Sequence, residues 1–235
     1  MSRSAAAVLP AVIWAAVALL GACDGTTLRL GGVPSDGGGT CAHAQTSAAA
    51  VVWLGDSWIL IPGNQVTGVL DLARASQAIG RNDAYTNDAA PAATMAAIVS
   101  QYTTQQASGT PAQVLIMDGG TWDTLTANGS SASVTSVVNT FGQFLGKVAS
   151  DGTVQHIIYF LQPDTVAGVP ALRPLLLQAC TASAVPCHFL DLQPLWSAHP
   201  EYAGSANPVP VPSTAGGAAI ANAIWAIMQA HCIAQ

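Results

Sequence analysis

A short apolar run that ends in Gly-Asp-Ser constrains this chain more than any other feature. Residues 50–54 read Ala-Val-Val-Trp-Leu, and Gly55, Asp56 and Ser57 follow directly. Such residues favour strands, and a strand buried on both faces is apolar throughout. In parallel sheets, ligands bind beyond the carboxyl ends of the strands. The run therefore predicts a buried parallel strand that carries Ser57, a candidate nucleophile, to a binding edge.

Further apolar runs alternate with helical patterns along the chain. Runs typical of strands lie at 49–54, 113–117, 156–161 and 187–190. Helical patterns lie at 67–78, 94–106, 169–182 and 214–231, and in the stripe formed by Val134, Val137, Val138, Phe141, Leu145 and Val148. Spacings of three and four residues in this stripe are typical of one helix face. Alternating strands and helices predict an α/β fold with a parallel sheet between two helical layers.

The first residues have the features of an export signal. Arg3 precedes an apolar stretch at 5–20, which ends in Leu20-Gly21-Ala22-Cys23. This order predicts a signal peptide over 1–22. The ending resembles a bacterial lipobox, which implies that Cys23 is lipidated and anchors the chain to a membrane of the bacterial cell envelope. The alternative is an ordinary signal peptide with a chance cysteine.

The composition of the chain indicates where the folded domain begins and which class of partner is not expected. Residues 23–46 are rich in Gly, Ser and Thr, which predicts a flexible tether before a folded domain at 47–235. Only 8% of residues are charged, the net charge is −6, and the six basic residues are scattered. Without a basic patch, a nucleic acid partner is not expected.

Four cysteines follow Cys23, and an even number in an exported chain predicts two disulfides. Cys180 and Cys187 flank a predicted turn and are expected to pair, which leaves Cys41 to pair with Cys232. The alternative, a metal site, has no support in the spacing, because no CxxC pair or clustered histidine ligands occur. Neither a metal nor another cofactor is therefore predicted.

Three blocks of the sequence resemble the SGNH, or GDSL-type, hydrolase superfamily. The blocks are Gly55-Asp56-Ser57, the run 114–123 (Val-Leu-Ile-Met-Asp-Gly-Gly-Thr-Trp-Asp), and 212–217 (Pro-Ser-Thr-Ala-Gly-Gly). The resemblance implies a three-layer α/β/α sandwich with a parallel, flavodoxin-like sheet, and it implies acyl-ester hydrolysis. In that chemistry a serine attacks, a histidine of an Asp-x-x-His-Pro motif is the base, and a glycine and an asparagine donate to the oxyanion.

Of the first two signature positions, the serine is present and the glycine is replaced. Ser57 stands at the nucleophile position, and its backbone N–H is a further oxyanion donor; alternatively, Asp56 and Ser57 only cap the next segment. The oxyanion glycine is replaced by Ala92 or a neighbour, with Gly80 as another candidate. An alanine keeps the backbone N–H, but its Cβ penalises a positive φ.

The end of the run 114–123 departs further from the pattern of the superfamily. In Gly120-Thr121-Trp122-Asp123, Trp122 stands where the superfamily has asparagine. Trp122 is interpreted as a hydrophobic plug, with donation from its indole N–H as the alternative. Losing one oxyanion donor costs roughly 2.7–4 kcal/mol of transition-state stabilisation. Asp123 keeps the acid of the motif and is expected to accept hydrogen bonds within the loop.

The base of the expected catalytic triad is missing from its usual place. Val211 stands at the histidine position and Pro208 at the acid position. His199 is a substitute that Asp191 or Glu201 could orient, although a structural role for it is the alternative. We expect His156 and His188 within strands, His43 near the tether, and His231 in the last helical turn; none has metal-ligand spacing.

Two functions from different classes follow from this pattern. The first is a catalytically impaired protein that binds a small ester, acyl or glycan ligand near the cell surface. The second is a serine ester hydrolase in which Ser57 uses a relocated base such as His199.

Overall fold

The computed structural model describes residues 46–60, 65–206 and 210–234. The predicted signal peptide, nearly all of the tether, Cys23, Cys41, His43 and Pro208 lie outside these residues.

The core of the domain is a parallel sheet in the strand order β2-β1-β3-β4-β5. Its strands are β1 Val51–Leu54, β2 Thr86–Asn87, β3 Val114–Met117, β4 His156–Leu161 and β5 Cys187–Asp191. All four neighbouring pairs are parallel. This is the flavodoxin-like order, so the predicted α/β fold is confirmed.

Helices of very different lengths connect the strands. They are α1 Ser57–Leu60, α2 Gln65–Ala75, α3 Met95–Gln106, α4 Thr121–Thr126, α5 Ser131–Asp151, α6 Val169–Thr181, α7 Gln193–Ala198 and α8 Thr214–Ala230. Two 3₁₀ turns lie at Ala48–Ala50 and Pro200–Tyr202, and an antiparallel pair is formed by β6 Ala203–Ala206 and β7 Pro210–Pro212.

Alternate strand residues enter two separate hydrophobic cores, as the pleat of a strand requires. On one face, Leu115 and Tyr159 pack with residues of α3, α5 and α6, including Phe141. On the other face, Trp53 and Ile116 pack with residues of α2 and α8. The strands are apolar throughout because both faces are covered.

The predicted helices and strands agree with the structure to within a few residues, whereas the short elements were not predicted. Strand β2 has only two residues, and α1, α4 and α7 have four to six. Elements of this length contain too few residues for a period to be visible. The residues predicted to begin the first strand, 49 and 50, belong instead to a 3₁₀ turn.

The disulfide predicted between Cys180 and Cys187 is present, with a Cα–Cα distance of 5.3 Å. It joins the end of α6 to the first residue of β5. The second predicted pair includes Cys41, outside the described residues. Of the helices in the described ranges, none combines the length and apolarity that crossing a membrane requires.

Candidate functional site

The carboxyl ends of three neighbouring strands bring polar residues together. Asp56 follows β1, Asp118 follows β3, and Gln162 follows β4. All three side chains are buried. Ser57 is the first residue of α1, directly after Asp56. This is the edge at which parallel sheets bind ligands, so it is the candidate site.

Gly55 makes the close approach of β1 and β3 possible. A Cβ at this position would lie 1.9 Å from Oδ1 of Asp118. The side chain of Gln101 on α3 holds the same residue from another side: its Oε1 accepts from the Gly55 N–H at 2.9 Å, and its Nε2 donates to the Gly55 carbonyl at 3.0 Å. The turn that presents Ser57 is therefore fixed by contacts on both sides.

Ser57 meets Ala92 across the site. The backbone N–H of Ala92 donates to the Ser57 Oγ at 3.1 Å. Ala92 has a φ of +56°, the left-handed conformation that favours glycine. The structure thus brings together two of the residues selected from the sequence, with the Ala92 N–H directed at the Ser57 hydroxyl.

Asp56 has a capping role as well as a place in the site. Its Oδ1 accepts from the Trp58 N–H at 2.8 Å, and its carbonyl accepts from the Ile59 N–H at 3.2 Å. This is how a capping aspartate satisfies the first backbone donors of a helix. The capping alternative thus describes Asp56, whereas the hydroxyl of Ser57 points to Ala92.

Asp56 and Asp118 form a buried pair of carboxyl groups. The Asp56 N–H donates to Oδ1 of Asp118 at 2.9 Å, and the two side chains also hydrogen-bond to each other. Nε2 of Gln162 lies 3.3 Å from one oxygen of each acid. Two buried carboxyls in contact cannot both be charged at low cost, so they share a proton.

The proton of this pair belongs mainly to Asp118. Burial, followed by the charge of Asp56, raises the pKa of Asp118 well above its usual range. Burial also raises the pKa of Asp56, but hydrogen bonds from Asp118, Trp58 and Gln162 oppose that shift. Asp118 is therefore the neutral donor and Asp56 the acceptor.

The end of the run 114–123 forms a turn that leads into α4. Gly120 has a φ of +85°, and a Cβ there would lie 2.7 Å from Cγ1 of Val137. Trp122 is half-buried in the first turn of α4. Oδ2 of Asp123 accepts from the Met95 N–H at 2.9 Å, at the start of α3. Asp123 thus ties two loops of the site together, and burial raises the pKa of its carboxyl.

His199 is engaged with its own neighbours. Its Nδ1 lies 3.0 Å from Oε1 of Glu201, and its ring stacks on Tyr202 at 4.6 Å. Within the described residues, no hydrogen bond joins His199 to Ser57. Asp191, the other acid considered for His199, pairs instead with Arg173. Val211 lies half-buried in β7.

Three other histidines meet at the opposite end of the sheet. His156 is the first residue of β4 and His188 is the second of β5, while His231 follows α8. Nδ1 of His156 lies 3.3 Å from Nε2 of His188, whose ring centre is 4.1 Å from that of His231. They lie at the amino ends of the strands and are separated from Ser57 by the length of the sheet.

Sequence reasoning missed Gln101, Asp118 and Gln162 as site residues. Asp118 was visible within the run 114–123, one residue after an apolar strand, which is a signal for a site residue. Gln162 directly follows the apolar run 156–161 and carries the same signal. Gln101 carries no such signal, because it lies within a helix whose position relative to β1 depends on the tertiary fold.

Solved esterase structures resemble this chain. The acetyl xylan esterase AlAXEase gives a TM-score of 0.61 at 12% identity, over 75% of this chain and 98% of its own. A family 3 carbohydrate esterase from Talaromyces cellulolyticus gives 0.61 at 14%, over 76% and 95% respectively. A GDSL-like lipase candidate from Parabacteroides merdae gives 0.57 at 15%, over 81% and 99% respectively.

These likenesses show that the chain has the fold of the GDSL/SGNH-type esterases and lipases, which the sequence resemblance implied. At identities of 15% and below they show the fold alone. No family model matches the chain, and no curated protein matches it.

The first prediction concerns the shared proton. Asp118→Asn keeps a donor towards Asp56, so we expect this variant to fold. Because the pKa of Asp118 is raised in the folded state, its contribution is complete below pH ~4 and is lost as the pH rises through the raised pKa. Relative to the wild type, the variant should gain up to ~1.4 kcal/mol of stability per pH unit over that range.

Urea denaturation from pH 4 to pH 8 measures this difference. Asp71→Asn is the matched control, because Asp71 is exposed and its partner is Arg74 on the same helix. The control should follow the wild type. Parallel pH profiles for Asp118→Asn and the wild type would contradict the assignment of the proton to Asp118.

The second prediction concerns the conformation of Ala92. A left-handed conformation costs a non-glycine residue roughly 1–2 kcal/mol, whereas glycine adds about 0.4–1 kcal/mol of unfolded-state entropy. We therefore expect Ala92→Gly to leave the free energy of unfolding unchanged or to raise it. Ala226→Gly, at an exposed position inside α8, should lose about 1 kcal/mol in the same measurement. Equal losses in both variants would contradict a strained Ala92.

Proposed function

We propose that this chain is an exported lipoprotein that uses an SGNH-type fold to bind a small ester, acyl or glycan ligand, without hydrolysing esters. Cys23 carries the lipid and tethers the domain to the bacterial cell envelope. The ligand lies at the carboxyl edge of the sheet, beside Ser57 and Trp122. No nucleic acid partner is proposed.

The surroundings of Ser57 carry this proposal. Its Oγ accepts a hydrogen bond from the Ala92 N–H, and no described acid or imidazole hydrogen-bonds to it. A serine hydroxyl without a base is a weak nucleophile at neutral pH. Asp56 does not supply that base, because its carboxylate is turned to the Trp58 N–H, Gln162 and Asp118.

The positions of the histidines support the same conclusion. The chain has five histidines. Three meet at the amino edge of the sheet, away from Ser57, and His43 belongs to the predicted tether. Nδ1 of His199 is paired with Glu201, and the His199 ring stacks on Tyr202. Val211 stands where the superfamily pattern has its base.

Trp122 supports a binding role. Its half-buried side chain lies in the first turn of α4, which follows the carboxyl end of β3. Aromatic side chains supply large contact areas at low cost in conformational entropy and commonly line ligand pockets. The Ser57 hydroxyl, whose oxygen accepts from the Ala92 N–H, still has its own hydrogen to donate. This end of the sheet therefore offers one apolar surface and one hydrogen-bond donor, which suits an acyl group or an acetylated sugar.

The second candidate function is a serine ester hydrolase with a relocated base. One observation supports it. Nδ1 of His199 is paired with Glu201, which leaves Nε2 as the ring nitrogen that can accept a proton. An acid-oriented imidazole of this kind is what a serine nucleophile requires. A movement that brings His199 to Ser57 upon ligand binding would make this candidate active.

The third prediction separates these two functions. We expect the purified full chain to bind p-nitrophenyl acetate and butyrate without Ser57-dependent turnover. Hydrolysis rates of the wild type, Ser57→Ala and Ser100→Ala should be equal, Ser100 being an exposed serine on α3 that serves as the matched control. Saturation-transfer NMR should detect ester binding by the wild type and a weaker signal for Trp122→Ala.

Turnover lost in Ser57→Ala, but kept in Ser100→Ala, would overturn the binding function. Loss of the same turnover in His199→Ala would then identify His199 as the base. A Val211→His variant tests the missing base directly, since turnover that appears only in this variant shows that the rest of the site is competent.

The fourth prediction concerns the anchor. In a bacterial host, the full chain should incorporate an alkyne-labelled fatty acid and fractionate with membranes, whereas Cys23→Ser should do neither. Cys41→Ser is the matched control and should keep the label. Unlabelled wild-type protein in the soluble fraction would exclude lipid anchoring, leaving the ordinary signal peptide.

A further inference from the structure

Folding brings three histidines together that are far apart in the sequence. His156 and His188 occupy neighbouring parallel strands, where His188 pairs in register with Ile158, two residues beyond His156. His231 approaches from the end of α8, and its ring packs against that of His188. The cluster lies at the amino edge of the sheet, so it has no part in the site around Ser57.

The distance between one ring nitrogen of His156 and one of His188 indicates what the cluster can bind. Nδ1 of His156 and Nε2 of His188 are 3.3 Å apart. Hydrogen bonds with N–H donors are typically ~2.9–3.0 Å long, so this one is long. Two nitrogens bound at ~2.0–2.1 Å to one tetrahedral ion lie about 3.3–3.4 Å apart. The pair therefore already has the separation of two ligands of one ion.

The contact between the two rings suits metal binding, which requires imidazole nitrogens without a proton. Two imidazole nitrogens can hydrogen-bond to each other only if one of them carries no proton. The proton between them can move to the far nitrogen of its own ring, and the ion then takes its place without a change in the total number of bound protons.

We propose that His156, His188 and His231 bind a divalent transition-metal ion such as Zn²⁺. His156 and His188 are the preformed part of the site. Among the described residues, no three such side chains are arranged to hold an ion, so the proposed site forms only if His231 rotates its ring from its packing against His188. His231 is exposed, so a change of rotamer is cheap and the ion has a route from solvent.

The covalent structure favours a rigid site. The Cys180–Cys187 disulfide ends at the residue before His188 and ties the start of β5 to α6. Since His156 and His188 lie on paired strands, their backbones are held by the ladder. A rigid pair of ligands loses little conformational freedom when an ion binds. Imidazole nitrogens favour Zn²⁺, Cu²⁺ or Ni²⁺ over Mg²⁺ or Ca²⁺.

Calorimetric titration of the full chain, prepared without a polyhistidine tag, tests the proposal with ZnCl₂ as the probe. We expect one Zn²⁺ per chain. Changing an outer contact of a metal site costs ~10–100-fold in affinity, so removing a ligand should cost at least that much. His188→Ala and His231→Ala should each weaken binding accordingly, and His199→Ala, which alters a partly buried histidine outside the cluster, should not.

Cobalt substitution gives a second measurement. Co²⁺ in a tetrahedral nitrogen site should produce intense visible absorption in the wild type, and this absorption should be lost in His188→Ala. Because His231 is exposed, His231→Ala should keep its fold, as circular dichroism can verify, and its result remains decisive if His188→Ala unfolds. Binding that is absent, equally weak in all variants, or unchanged in His231→Ala would overturn the proposed three-histidine site.

Discussion

The shared proton between Asp118 and Asp56 is the interaction on which the carboxyl edge of this protein depends. It joins the ends of β1 and β3, and Gln162 extends the contact to β4. Gly55 must lack a side chain because Asp118 occupies the space that a Cβ would need. An acid pair is costly to bury, and it persists here because one member stays neutral and both are hydrogen-bonded. The position of Ser57, one residue beyond Asp56, follows from this contact.

The same interaction gives Gly55 and Asp56 roles in the fold that do not require catalysis at Ser57. Gly55 and Asp56 have structural partners that do not depend on a reacting serine: Gln101 holds Gly55, and Asp56 caps α1 and accepts the proton of Asp118. A side chain at Gly55 would collide with Asp118. A substitution of Asp56 would leave a buried polar group without its partner, which costs about 1–3 kcal/mol. Residues such as Val211 carry no comparable constraint. The motif is therefore evidence of the fold more than of the reaction.

The sequence predicted the parallel sheet and its longer helices because their apolar periods depend only on local residues and burial. It also predicted that a positive φ would be the difficulty at Ala92, and the structure has that φ. Three-dimensional proximity was harder to predict. Gln101 and the histidine cluster come together only through the packing of helices and the register of strands, and neither leaves a fixed spacing in the chain. Short elements such as β2 were missed for a simpler reason, since two residues cannot show a period.

The two ends of the parallel strands carry separate clusters of polar side chains. At the carboxyl edge, the turn around Ser57 is kept by contacts with structural value, while the base expected there is replaced. At the amino edge, His156, His188 and His231 meet beside a disulfide. The half-buried imidazoles of His156 and His188 have other imidazoles as their neighbours and gain little from salt bridges, so stability alone gives a weak reason to bury them together. An ion held between them would provide that reason, because it would exchange the long contact between two neutral rings for bonds to each.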